Sequence, residues 1–250
     1  MAQARFTDRF GAVAGDYATF RPTYPAALFD TLSRLAPARR VAWDCGTGNG
    51  QAAGALAAHF HRVIASDASP AQLSAAGARA GVSYVRARAE DAPLATASVD
   101  LVTAAQALHW FDIPAFFREA RRVLVPDGIV AVWCYSLSRI TPEMDAVVED
   151  FYTRVVGPFW TPQRALTDTG YRTVRFPFAE LDVVAPDMAG PLTLSAFLGY
   201  IGTWSATEAY RAARADDPVA ALGERLAPLW GAGESRRLVR WPLHLRVGRA

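Results

Sequence analysis

The sequence predicts an α/β fold built around a doubly wound parallel sheet, and three observations support this prediction. Five short apolar runs follow one another in under a hundred residues after Arg40. Segments with helical character separate these runs, and a Pro-Asp-Gly turn leads into the fifth. Short apolar runs that alternate with helices are typical of βαβ units, which build parallel sheets.

The five runs are each too short for a helix of a globular protein and are each followed by a turn or helix signal. The predicted strands cover residues 41–44, 62–67, 82–87, 99–105 and 128–135. The predicted helices cover Gln51–Ala58, Pro70–Ala80 and Pro114–Leu124. Two of these helices begin with proline, which the first turn of a helix tolerates, and Pro126-Asp127-Gly128 forms the turn.

The two ends of the chain carry different patterns. Residues 1–36 contain several aromatic side chains, the stretch RPTYP and an amphipathic helix predicted at Pro25–Leu35, and we interpret them as a lid. A helix at Pro142–Val156, a strand at 178–185 and a mainly helical region to residue 235 are expected next. Alternation of apolar and polar residues in 238–248 predicts an antiparallel last strand.

Composition excludes several classes of protein. With 52% hydrophobic and 20% charged residues, the chain has the composition of a soluble globular protein. The net charge is +2, and no block of five like charges occurs, which argues against nucleic-acid binding. No run approaches a membrane span and no leader peptide is recognised, so we expect a cytoplasmic protein. Cys45 and Cys134 lack the spacing of a metal site or a disulfide framework.

The stretch WDCGTGNG holds the most informative motif, with Gly46, Gly48 and Gly50 after Asp44. A dinucleotide fingerprint needs glycine where this chain has Gln51, and a phosphate-binding P-loop needs a lysine, which the chain lacks. An acid before the loop favours a cation over a phosphate, and glycines allow close approach of the backbone to a ligand. These features favour a ligand with a nucleoside and a positive or zwitterionic part.

Asp67 ends the second predicted strand, 21 residues after Gly46, where it could accept hydrogen bonds from ribose hydroxyls. NAD enzymes share this feature, but together with the DxGxGxG pattern it favours S-adenosylmethionine. The alternatives are an NAD oxidoreductase, which conflicts with Gln51, and a regulatory or partner protein that binds S-adenosylmethionine without turnover.

The motifs resemble those of class I S-adenosylmethionine-dependent methyltransferases of the type 11 group. The matching stretches are the glycine loop, Asp67, ARAEDAPLATASVDLV and AAQALHWFD. RPTYP, AQALHWFD and WPLHLRVGR are similar to the branch that contains trans-aconitate and cantharidin-type acid methyltransferases. The resemblance implies a Rossmann-like sheet of seven strands whose last strand is antiparallel, with an N-terminal helical lid and a C-terminal helical cap insertion. One methyltransferase domain is then expected over 1–250, divided into a lid (1–36), a cofactor-binding core (37–140), a substrate-binding cap (141–235) and a last strand (236–250).

The resemblance also implies roles for individual residues in binding S-adenosylmethionine. The expected cofactor contacts are Asp44, the backbones of Gly46, Gly48 and Gly50, Asp67 at the ribose, Ala89 and Glu90 at the adenine, Gln106, and the lid residues Tyr17 and Arg21. Arg21 could pair with the methionine carboxylate. Arg88 departs from the usual pattern, which has an acid before the alanine to hold the adenine amino group.

His109 and three tryptophans are the candidates for acting on the acceptor. His109 follows the fourth strand, where such sheets bind ligands, and could serve as a general base or as an orienting donor. Trp110, Trp160 and Trp204 are the predicted acceptor contacts, although aromatic residues in a helical region can equally be core. We expect a small-molecule acceptor, methylated on a carboxylate or hydroxyl oxygen. A carboxylate would need an arginine anchor, with Arg139, Arg172 and Arg175 as candidates. The expected assembly is a monomer or homodimer, without metal.

Overall fold

The five predicted strands form the centre of one sheet in the computed structural model, which describes residues 20–214 and 216–250. In chain order the strands are β1 Val41–Cys45, β2 Arg62–Asp67, β3 Val82–Arg86, β4 Val99–Ala105, β5 Leu124–Tyr135, β6 Ala179–Leu181, β7 Ala189–Leu192, β8 Arg237–Arg240 and β9 Leu243–Arg249. Within the described residues, seven of them form a sheet in the order β3-β2-β1-β4-β5-β9-β6. β9 runs antiparallel to β5 and to β6, whereas β1 to β5 pair in parallel. The predicted Rossmann-like fold with an antiparallel last strand is confirmed.

The helices flank this sheet and form a cap beside it. They are α1 Ala26–Leu35, α2 Gln51–Leu56, α3 Pro70–Ala75, α4 Ile113–Val123, α5 Pro142–Asp150, α6 Arg164–Asp168, α7 Leu194–Gly202, α8 Ser205–Ala213 and α9 Pro218–Trp230. Proline in the first turn and a side-chain cap mark several helix starts, as at Ser69, Asp112 and Thr141. No helix in the described ranges is long and apolar enough to cross a membrane.

Several boundaries differ from the predictions for physical reasons. The strand predicted at 238–248 is two strands, because Trp241-Pro242 interrupts it; β8 pairs with β7 in a separate ribbon and β9 joins the sheet. β7 also lies in the stretch that was predicted as mainly helical. The predicted Pro126-Asp127-Gly128 turn is a bulge inside β5, where Asp127 adopts φ +63 and the register against β4 shifts.

Three further elements differ from the predictions in their extent or helix type. The helix predicted to Ala80 stops at Ala75, ahead of Gly77, whose φ of +65 is incompatible with a helix. The helix predicted to Val156 continues beyond Asp150 as a π-helical turn, Phe151–Val155. The strand predicted at 178–185 contains only β6.

The cap has its own aromatic core. Side chains from α5, α7, α8 and α9 pack in one buried cluster, which includes Phe151, Tyr200, Trp204, Trp230 and Trp241. Large aromatic side chains bury much apolar area and hold a surface rigidly. Packing within this cluster therefore fixes the surface of the cap that faces the carboxyl ends of β4 and β5.

Candidate functional site

The glycine loop follows β1 and packs against the segment that follows β4. Gly46, Gly48 and Gly50 have φ values of +64, +55 and +78, a region that side chains disfavour. A Cβ at Gly46 would lie 2.6 Å from Cβ of Ala107 and 2.9 Å from Cζ of Phe111. At Gly48, Oε1 of Gln72 at 3.5 Å is the one described atom within 4 Å of such a Cβ. Among the described residues, Gly46 is therefore packed against the protein, whereas Gly48 is left uncovered on its Cβ side.

Asp44 lies beneath this loop and is fully buried. Its carboxylate accepts hydrogen bonds from Oγ1 of Thr47 at 2.6 Å and from Oγ1 of Thr103 at 2.8 Å. Burial raises the pKa of Asp44 to about 6, although the two hydroxyls act in the opposite direction. Through these hydrogen bonds the Asp44 carboxylate connects the loop to β4. The glycine loop would therefore lie between this carboxylate and the cationic ligand that the sequence predicts.

The raised pKa predicts how stability depends on pH. Because the folded pKa of Asp44 lies above its unfolded value of 3.8, the native state holds a proton that the unfolded chain releases between those two pH values. The free energy of unfolding should fall through this window, by about 3 kcal/mol from this group. Asp44→Asn should therefore gain stability relative to wild type as pH rises from 4 to 7, in urea unfolding at both pH values. A difference in free energy of unfolding between Asp44→Asn and wild type that is the same at both pH values would contradict a raised pKa for Asp44.

Asp67, at the carboxyl end of β2, organises the same loop. Its carboxylate accepts hydrogen bonds from the backbone N–H of Gly48 and of Ser69, each at 2.9 Å. This carboxylate therefore borders the uncovered part of the loop, at the edge of the sheet where such folds bind a ribose. The predicted ribose contact stays a prediction.

The predicted adenine contacts lie after β3. Ala89 is buried, and Glu90 accepts hydrogen bonds from the backbone N–H of Asp112 at 2.8 Å and from Nε of Arg88 at 3.1 Å. Arg88, which replaces the more common acid, is thus paired with Glu90. Contact of Ala89 and Glu90 with adenine stays a prediction.

Arg21 lies between the cap and the sheet. It donates from Nη1 to the Tyr135 hydroxyl at 3.0 Å and from Nη2 to the Thr203 carbonyl at 2.9 Å. The next residue, Pro22, accepts a hydrogen bond from Nε2 of Gln51 at 3.2 Å, at the start of α2. The RPTYP segment therefore reaches both the glycine loop and the cap, as a lid would. The predicted lid residue Tyr17 lies outside the described residues.

Gln106 directly follows β4 and adopts a left-handed conformation, with φ +52. Its backbone N–H donates to the Trp133 carbonyl at 2.9 Å, and its Nε2 donates to the Tyr135 carbonyl at 3.4 Å. Its Oε1 is buried without a hydrogen-bond partner in the described residues. Non-glycine residues held in this conformation are concentrated at functional sites, which fits the predicted cofactor role of Gln106.

A cavity of about 50 Å³ lies beyond the carboxyl ends of β4 and β5, beneath the cap. The predicted acceptor residues Trp110, Trp160 and Trp204 all line it, and so does His109. Two arginines, Arg21 and Arg164, also line the cavity, and no carboxylate does among the described residues. The site combines aromatic walls with positive charge.

Arg164, on α6, was not predicted from the sequence. Its Nε donates to the Tyr152 hydroxyl at 2.8 Å and to Oδ1 of Asp168 at 3.1 Å. Its guanidinium carbon lies 4.8 Å from the ring centre of Trp160. In the part of the chain that the structure describes, Nη1 and Nη2 have no hydrogen-bond partner. The side chain is only 21% exposed. The hydrogen bonds of Nε to Tyr152 and Asp168 therefore hold the Nη1 and Nη2 groups beside the cavity.

The predicted anchors lie elsewhere. Arg139 pairs with Glu149 and Asp145, and Arg172 and Arg175 are exposed; none of the three lines the cavity. The available signal for Arg164 was its i, i+4 spacing to Asp168, four residues after Trp160 in an aromatic segment.

His109 lies in a 3₁₀ turn, Leu108–Trp110, directly after β4. Its Nδ1 is 2.9 Å from the Tyr171 hydroxyl, and its ring centre is 4.7 Å from that of Trp110. Burial, together with the charges of Arg164 and Arg21, lowers the pKa of His109 to about 3. The imidazole is therefore neutral at physiological pH.

Comparisons with known proteins identify related methyltransferases. A methyltransferase domain family matches residues 43–132. A protein from Dictyostelium discoideum that is named as a methyltransferase is 32% identical over 248 residues, which cover 96% of this chain and 94% of that protein. An S-adenosylmethionine-dependent methyltransferase of Saccharomyces cerevisiae is 30% identical over 128 residues, 48% of this chain and 44% of its own. The solved structure of a type II methyltransferase from Anaeromyxobacter dehalogenans is 45% identical, covers 92% of this chain and 98% of its own, and superposes with a TM-score of 0.85.

Proposed function

This chain belongs to the class I S-adenosylmethionine-dependent methyltransferases, and from that premise we propose that it methylates a carboxylate oxygen of a small-molecule acid. The observation that carries the proposal is Arg164. A guanidinium whose Nη1 and Nη2 have no hydrogen-bond partner among the described residues, and which lines a cavity, is suited to a carboxylate, which it can bind through two parallel hydrogen bonds. The absence of acids among the described lining residues supports an anionic acceptor.

The residues of the glycine loop fit the cofactor. In the described part of the chain the space over Gly48 would admit a ligand against the backbone, and the Asp67 carboxylate lies beside it. When bound, S-adenosylmethionine supplies a methyl group on a positively charged sulfur, which is already a strong electrophile. The protein has to bind, orient and exclude water, and a carboxylate is already ionised at pH 7, so no residue needs to remove a proton from it.

The walls of the cavity favour a small acceptor with a flat apolar body. Trp110, Trp160 and Trp204 provide flat apolar faces against which the body of an acid could pack. These walls favour a small organic acid over a protein or nucleic-acid chain.

A panel of matched acceptors tests the proposal. Purified protein would be incubated with S-adenosylmethionine labelled in the methyl group and with small aromatic and aliphatic acids, their primary amides and their alcohols. We expect label in acids and none in the matching amides. Transfer to the alcohols or amides but to no acid would reject the carboxylate assignment.

A further inference from the structure

We propose that His109 projects its Nε2–H into the cavity as a hydrogen-bond donor to the acceptor oxygen, in a tautomer that Tyr171 fixes. In this role His109 orients the acceptor and takes no proton from it. The inference rests on the proposed function only for the identity of the acceptor group, because the tautomer is a property of the protein alone.

Among the described residues, the Tyr171 hydroxyl has one available acceptor for its proton. Tyr171 is fully buried, and burial raises the pKa of its hydroxyl well above the usual value, so the proton stays on. The backbone N–H groups of His109 and Leu108 lower the pKa of the same hydroxyl, because they are directed at its oxygen. Among the described residues the remaining partner is Nδ1 of His109, at 2.9 Å. The reverse arrangement would leave a buried O–H without an acceptor, which is unfavourable.

Tyr171 is held firmly in this place. It adopts a φ of +59, which is uncommon for a residue with a large side chain, and the preceding Gly170 adopts +60. Its backbone N–H donates to the Leu166 carbonyl at 2.9 Å, and its carbonyl accepts from Nη1 of Arg246 at 2.9 Å. An unfavourable backbone conformation that the surroundings enforce is a feature of functional sites. This turn aims the hydroxyl at His109.

The other nitrogen of the imidazole faces the cavity. A neutral imidazole that accepts a hydrogen bond at Nδ1 carries its proton on Nε2. His109 lines the cavity, and within the described residues Nε2 has no hydrogen-bond partner. The charged groups that face the ring are Arg164 and Arg21, and both disfavour a second proton. His109 can therefore donate a hydrogen bond from Nε2 to an oxygen of the methyl acceptor, but it cannot act as a general base at this nitrogen.

The tautomer can be read directly by nitrogen-15 NMR of the ligand-free protein labelled in histidine, with His109→Gln used to assign the signals. We expect a single neutral tautomer with the proton on Nε2 across pH 6 to 8, and a mixture of tautomers in Tyr171→Phe. A proton on Nδ1 in wild type, or an imidazolium at pH 6, would overturn the proposal. This result does not depend on activity, so it stands even if no acid proves to be an acceptor.

Kinetics then separate a donor from a base. His109→Ala should raise the acceptor KM and lower kcat/KM by about 10- to 100-fold, as the loss of a hydrogen bond to a charged oxygen does. His109→Gln, which places an N–H donor near the position of Nε2, should recover about tenfold of that loss. Wild-type kcat/KM for an acid should be flat between pH 6 and 8. Equal inactivity of the two variants, with a rate that rises with pH in wild type, would identify His109 as a base.

Discussion

Arg164→Gln is expected to lower kcat/KM for an acid acceptor roughly 30- to 1,000-fold while leaving the dissociation constant of S-adenosylmethionine nearly unchanged. Removal of one partner from a buried, charge-assisted interaction costs about 2–4 kcal/mol, because the carboxylate then lies in the cavity without its cation. Steady-state kinetics with an acid and calorimetric titration with S-adenosylmethionine measure the two quantities separately. The effect on acceptor binding should appear mainly in KM.

Asp168→Asn is the matched control for this variant. Arg164 also donates to Tyr152 and Asp168, so its replacement disturbs a network as well as removing a charge. Asp168→Asn disturbs the same network and keeps the guanidinium beside the cavity. It should lose far less activity than Arg164→Gln. Equal losses in the two variants would show that the network, and not the cation, is what the acceptor needs.

Gly46→Ala is expected to lower the free energy of unfolding by about 2–5 kcal/mol and to weaken binding of S-adenosylmethionine. An alanine at φ +64 is strained by about 1–2 kcal/mol, and overpacking against its neighbours typically adds about 1–3 kcal/mol. The new Cβ would lie 2.6 Å from Cβ of Ala107, so the loop has to shift. Urea unfolding and calorimetric titration with S-adenosylmethionine measure the two effects.

Two other glycines separate strain from ligand contact. Gly48→Ala has a similar backbone strain without the clash, so we expect a smaller loss of stability, about 1–2 kcal/mol, together with a marked loss of cofactor affinity. Gly77→Ala, at φ +65 with no described atom within 4 Å of the new Cβ, should show strain alone and bind the cofactor normally. Wild-type cofactor affinity in Gly48→Ala would contradict the assignment of the open face of the loop to S-adenosylmethionine.

The sheet could be predicted well because its strands are local patterns. Short apolar runs separated by turn signals located β1 to β5, and the alternation near the C-terminus indicated an antiparallel partner. Pro242 was the visible signal for the split between β8 and β9, since proline interrupts a strand. The glycine spacing identified the loop because only a few ligands match each pattern of glycines.

The acceptor side of the site was less predictable because it depends on contacts between distant residues. His109 was predicted, but its partner Tyr171 lies 62 residues later, in a segment without helix or strand periodicity. The sequence shows 26 basic residues, all arginine, and Arg164 becomes distinctive only when its pairing and its unbonded edge are seen. The same holds for Asp44, whose complete burial beneath the loop follows from packing and not from its position at a strand end.

The most direct test of the account is the chemical stability of the transferred methyl group. After turnover with an acid and labelled S-adenosylmethionine, the product would be treated with mild base and the released methanol would be counted. A methyl ester releases its label as methanol under these conditions, whereas methyl ethers and methylamines do not. The account predicts that nearly all of the transferred label is released and that Arg164→Gln forms little of this product. Label that stays on the product after base treatment would contradict methylation of a carboxylate.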